Sequence, residues 1–210
     1  MRYNENMRKF VPEKAKLIPE EAERVFRGKI YEVYQWPQKM FDGSFETFEM
    51  LRRPDTVKII PIMTAEEARK LGFKADEPQL IVTKQEQPRK DCFYDYPGGR
   101  MDEEDADELA AAKRELLEET GLSFRDWKLI KVEQPFNKID WLVYTFVATG
   151  LLGQAEQSLD AGEKIEVVAM SLAEASRMAK SDEARYMRLK EMEERVSLDE
   201  LAEFPELYKH

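Results

Sequence analysis

The sequence predicts an α+β fold in which a mixed sheet is covered by helices. Three observations carry this reading. Short β-type segments lie on both sides of one strong central helix, Glu108 to Thr120. Helical stretches are appended only after the last strand, and no internal repeat or low-complexity linker interrupts the pattern. The length of 210 residues suits one domain with additions and supplies a real core.

Taken in order, residues 1–24 form a polar lead-in, in which Ile18-Pro19 followed by Glu20 to Arg24 predicts a short helix. Val25 to Trp36 alternates apolar and polar residues and reads as a strand, with turn chemistry at Pro37 and Asp42-Gly43-Ser44. Phe45 to Leu51 and Val57 to Ile62 are the next strands, so residues 25–55 make a small antiparallel sheet. Ala65 to Leu71 is a helical turn, Gln79 to Thr83 a buried strand, and Gln85 to Asp91 a loop. Phe93 to Tyr96 leads as a strand into Pro97-Gly98-Gly99. Beyond the central helix, Trp127–Val132, Trp141–Ala148 and Glu163–Met170 are strands. Ser171 caps a helix through Lys180, and residues 182–196 and 198–203 are helical.

Composition removes whole classes of function. The formal charge is −10 with 36% charged residues, which argues against a generic nucleic-acid binder and against tight attachment to a membrane surface. No apolar run approaches the ~20 residues that span a bilayer, and no signal-peptide-like stretch opens the sequence. Cys92 is the only cysteine, so no intrachain disulfide forms and a cytoplasmic location is expected. The only histidine is His210, which excludes a Cys/His zinc site and leaves little room for a histidine-based nucleophile. Hydrolysis by this chain must therefore rest on carboxylates and a hard metal.

The central helix offers them. Glu115, Glu118 and Glu119 are spaced i, i+3, i+4 and share one face. Like charges at such spacings cost roughly 0.2–0.5 kcal/mol per pair on a bare helix. A divalent cation with oxygen ligands reverses that penalty, which makes this face a candidate magnesium site. A solvated acidic face, such as Glu191, Glu193 and Glu194 suggest later in the chain, is the alternative.

The arrangement also resembles the Nudix box: Gly, five residues, Glu, seven residues, then Arg-Glu-U-x-Glu-Glu-x-Gly-U with U aliphatic. Arg114, Glu115, Leu116, Glu118, Glu119, Gly121 and Leu122 match its second half at every defined position. The first half departs from it. Gly99 to Arg114 is one residue too long, so Asp105 takes the first glutamate's place counting forward and Ala106 counting back. The resemblance narrows the fold to a Nudix-type α/β/α sandwich with a mixed central sheet over residues 56–180. Residues 1–55 then form the lead-in and a β-meander that serves as a dimerisation element, and residues 181–210 a C-terminal helical extension.

The meander, with Gly28-Lys29-Ile30-Tyr31 and Phe48 to Arg53, is similar to that of Nudix enzymes of the ADP-ribose pyrophosphatase type. There it crosses between subunits of a homodimer and contributes to the partner's pocket. Asp160 to Val168 is similar to the loop and strand that carry the family's mobile catalytic glutamate, which places Glu163 as general base with Asp160 and Glu118 as rivals. The resemblance implies Mg2+, with Mn2+ as a substitute, held by Glu115, Glu119, the Gly98 carbonyl and, in or near the shell, Glu118. It implies that Arg114 holds a carboxylate in place. Arg53 or Arg52, and Arg89, are candidates for phosphate contacts; the adjacent pair face opposite ways, so at most one serves a given pocket. Trp36 is a candidate purine stacker, with a core or interface role as the alternative. Gln134-Pro135-Phe136 lies where such enzymes keep a specificity loop. The expected substrate is a small nucleoside-diphosphate sugar such as ADP-ribose. A nucleoside triphosphate pyrophosphatase and a catalytically inactive nucleotide-binding module are the alternatives.

Overall fold

Val57 to Ile62, the most apolar short run before the glycines, lies at the centre of the larger of two sheets. The computed structural model describes residues 8–198 and Leu201. Strands β1 (Glu23–Arg27), β2 (Glu32–Lys39) and β3 (Phe45–Arg52) form an antiparallel meander, and the short β8 (Ile139–Asp140) joins it parallel to β3. The larger sheet is built from β4 (Thr56–Met63), β5 (Gln79–Gln87), β6 (Lys90–Asp95), β7 (Leu122–Glu133), β9 (Val143–Gln154) and β10 (Lys164–Ser171). Its order is β10-β5-β4-β9-β7, with β6 paired to the far half of β5. The β4–β9 pair is parallel and its other pairs antiparallel, so the sheet is mixed.

Period-two alternation divides the core between its faces. Val57, Ile59 and Met63 of β4 pack with Ile81, Phe146 and the buried side of helix α2 (Glu108–Thr120), near which lies the short helix α1 (Ala65–Lys70). Ile60 and Ile62 point the other way, with Leu80, Val82 and Val147 against α3 (Leu172–Ala179) and α4 (Met187–Arg195). Helices thus cover both faces, as an α/β/α sandwich requires. Among the described residues no helix is long and apolar enough to cross a membrane.

Several boundaries differ from expectation. No helix forms at residues 20–24; a turn closed by the Ala22 N–H on Pro19 O leads straight into β1, since so short a run cannot offset the cost of helix nucleation. Val25 to Trp36 is a hairpin, because Gly28 turns the chain and donates to Tyr31 O at 2.8 Å. Pro37 stays inside β2, beyond the residues paired to β1, where a free edge tolerates proline. The expected loop at Gln85–Asp91 shrinks to the turn at Pro88-Arg89. Residues 184–186 form a 3₁₀ turn before α4, and of the helix expected at 198–203 Leu198 and Leu201 are helical, the rest lying outside the described residues.

The lead-in is laced to the larger unit. Arg8 forks onto Asp55 at 2.7 and 2.8 Å and reaches Asp140 at 2.8 Å, while Arg52 holds the other oxygen of Asp140 at 2.8 Å. The amides of Lys9 and Phe10 donate to Glu108 at 2.7 and 3.3 Å, at the start of α2. Gln134 clamps both backbone groups of Lys16 at 2.6 Å.

Candidate active site

Helix α2 is specified at both ends. Asp107 caps it by accepting from the Ala110 N–H at 2.8 Å, and Gly121 ends it in the left-handed region at φ 71°. Its acidic face meets the chain at Pro97–Gly99, which lies along β4 through Val57 N–H to Gly99 O and Ile59 N–H to Pro97 O, both 2.9 Å. Gly98 has φ 142°, and a Cβ there would stand 2.2 Å from Val57 O, so no other residue fits. A Cβ on Gly99 would stand 2.5 Å from a carboxylate oxygen of Glu115. The Gly98 N–H donates to Glu119 at 2.9 Å. Two glycines and two carboxylates are thereby interleaved.

Arg114 is the hub beside them. It forks onto Asp105 at 3.0 and 2.9 Å and reaches Glu115 and Glu118, each at 3.0 Å, and the Arg100 carbonyl at 2.9 Å. Of the two residues that counting allows in the first glutamate's place, Asp105 is the one whose carboxylate meets Arg114. Burial acts to raise Asp105, yet the Arg114 guanidinium outweighs it and holds the group below the usual carboxylate range. Burial pushes Glu115 up to about 7 against the pull of Arg114. It pushes Glu119 up to about 8 against the Gly98 amide and Lys58. Lys58 itself donates to Asp95 at 2.8 Å.

A cleft of about 750 Å³ brings together Arg53, Gly98, Arg114, Glu115, Glu118, Glu119, Asp160 and Glu163. Glu163 donates its N–H to Asp160 O at 2.9 Å at the end of the loop before β10. Arg53 lies 4.5 Å from the ring centre of Trp141 and 5.9 Å from that of Tyr31, and its Nε has no hydrogen-bond partner among the described residues. Three expected residues lie outside this cleft. Arg52 faces the opposite way from Arg53 and is buried on Asp140 and the Tyr34 ring. Arg89 occupies the exposed β5–β6 turn at φ 65°, because both strands extend further than expected and leave only Pro88-Arg89 between them. Trp36 packs on Phe48 across the meander.

Sequence reasoning missed Lys58, Tyr31 and Trp141, which also line the cleft. Lys58 had left a signal, as the one charge inside an apolar strand; the aromatics had left none.

Among the described residues no three His, Cys, Asp or Glu side chains form a ready-made metal cage. The donor set nevertheless fits a hard cation: the buried Glu119, the partly buried Glu115, the more exposed Glu118 and a glycine backbone that lines the cleft. Magnesium is commonly held by one or two carboxylates together with substrate phosphates and water, not by an all-protein cage.

A mixed sheet between helices, with an Arg-Glu-Leu-x-Glu-Glu-x-Gly-Leu helix set against a glycine pair, defines a class, and the NUDIX domain family model matches residues 71–190. The chain belongs to the Nudix family and is a Nudix hydrolase, a class that generally uses divalent metal ions and acts on small nucleotide substrates. Among solved structures it is similar to an ADP compounds hydrolase at 20% identity and a TM-score of 0.59, covering 85% of this chain and 95% of that one. It is also similar to a MutT from work on Aliivibrio salmonicida and Vibrio cholerae, at 18% identity and a TM-score of 0.48, covering 73% and 99%. No curated protein matches the sequence.

Proposed function

We propose that this Nudix hydrolase cleaves the pyrophosphate bond of ADP-ribose or a related nucleoside-diphosphate sugar, releasing a nucleoside monophosphate and a sugar phosphate. The observation that carries this reading is Arg53, set between Tyr31 and Trp141 on the lining of the cleft that also holds the acidic helix. A planar guanidinium on the cleft wall suits phosphate oxygens. It comes from the end of the meander, an element outside the matched residues 71–190. The fold likeness to the ADP compounds hydrolase, over 85% of the chain, supports the same reading.

Glu115, Glu119 and the Gly98 carbonyl would hold Mg2+, with Glu118 in or beside the set and Mn2+ an expected substitute. When bound, the ion supplies charge neutralisation at phosphate oxygens and a lowered pKa for water. Arg114 keeps Glu115 and Glu118 in register and does not touch the substrate. Glu163 is the general base: it takes the proton as water oxygen attacks phosphorus, and the bridging P–O bond breaks with its electron pair leaving on the departing phosphate. Asp160 and Glu118 are its alternatives. Product chromatography over a panel of nucleoside-diphosphate compounds, with and without magnesium, tests the reading. Metal-dependent release of a nucleoside monophosphate from ADP-ribose or a related sugar is expected. Folded protein that turns over none of the panel would overturn it.

We also propose that the chain is a homodimer. Val25, Phe26, Phe41 and Phe45 of the meander region are more than half exposed, apolar surface that a second copy would cover. Sedimentation at micromolar concentration should show a dimer; a monomer alone would count against it.

A further inference from the structure

The loop from Ala155 to Glu163, between β9 and β10, carries the candidate base and has open space on both sides. Ser158, Asp160 and Glu163 line the cleft, Gln157 lines a second hollow of about 840 Å³ at the far side of the α2 C-terminus, and Leu159 lines both. Packing therefore holds this segment weakly, and its position rests on hydrogen bonds. Those bonds converge on the end of α2, whose last carbonyls lack helical partners. The Ala155 N–H donates to Gly121 O at 2.7 Å, the Ser158 N–H to Glu118 O at 3.0 Å, and the Gln157 side-chain amide to Glu119 O. The same amide nitrogen stands 3.4 Å from Ile165 O, two residues past Glu163. Gly121 permits the approach, since a Cβ there would lie 2.2 Å from Ala155 O.

We infer that Gln157 is a positioning residue: its amide closes both ends of the base-carrying loop onto the C-terminus of the acidic helix and so sets the reach of Glu163. The carbonyls that anchor the loop belong to Glu118 and Glu119, whose carboxylates face the cleft, so one helix end registers both halves of the site. The inference rests on the reading of Glu163 as base.

Gln157→Leu keeps the bulk and removes the donors at an exposed position. Hydrogen exchange of amides 158–163 should quicken about tenfold, the scale of one lost hydrogen bond. With ADP-ribose and magnesium as the probe, kcat should fall about tenfold and KM stay within about twofold, and no further loss should appear in a Glu163→Gln background. Unchanged exchange overturns the clamp. Equal fractional losses in both backgrounds overturn it too, since Gln157 would then act on the helix and not through Glu163. Normal turnover by Glu163→Gln alone retires the base assignment instead, while the exchange result still decides the clamp.

Discussion

Glu119→Gln should lose more than about a hundredfold in turnover while keeping its fold, since even residues one contact removed from a metal are worth about 10- to 100-fold. The reason lies in what the substitution keeps. Glu119 is almost fully buried, and one of its oxygens accepts the Gly98 N–H at 2.9 Å. A glutamine carbonyl can accept the same bond, so the glycine turn stays laid along β4. What disappears is the carboxyl proton that a divalent ion displaces, and with it the charged oxygen the ion requires. Two measurements separate the effects. Circular dichroism and melting without metal should match the wild type. Magnesium should raise the wild-type melting temperature and leave that of the variant unmoved, because only a binding-competent native state gains from the ion. Wild-type rates in Glu119→Gln would remove this helix from the metal site.

The acidic helix was legible because every signal for it is local. Glu108 to Thr120 are nearly all helix formers, Gly121 can take φ 71°, and three glutamates fall on one face by spacing alone. The strands were legible in type and less so in extent: alternation at Val25–Trp36 concealed the reversal at Gly28, since a two-residue period runs through a tight hairpin unchanged. Choosing between Asp105 and Ala106 was beyond counting. It depends on where the Arg114 fork reaches across an irregular loop, a question of geometry and not of spacing. Arg53 was one of two adjacent candidates, and only the burial of Arg52 on Asp140, 88 residues away, tells them apart. Tyr31 and Trp141 meet Arg53 from segments far apart in the chain, a meeting that no local pattern announces.

Arg8→Ala should cost about 3–5 kcal/mol of folding stability, the penalty for stripping one partner from a buried ionic cluster. The lead-in looks like solvated chain in the sequence, where Arg8 stands among other charged residues and carries no marker of burial. In the fold the Arg8 side chain is 5% exposed and its partners Asp55 and Asp140 are 0% exposed. Each acid keeps other support: Asp55 accepts the Leu142 N–H at 2.7 Å, and Asp140 accepts from Arg52 at 2.8 Å and from the Ile18 N–H at 3.3 Å. Those contacts suit carboxylates already neutralised by Arg8, and without it both buried carboxylates lose the cation they share. Denaturant titration of the full chain checks the size, and a loss below about 1 kcal/mol would mark an ordinary surface pair. Arg8→Met separates packing from charge, since it refills the volume without restoring the guanidinium; a loss close to that of Arg8→Ala assigns the effect to charge. The cluster also bears on the cleft. Asp55 is two residues from Arg53, and Asp140 sits beside Trp141, so the contacts that bury Arg8 also hold the segments that set Arg53 against Trp141.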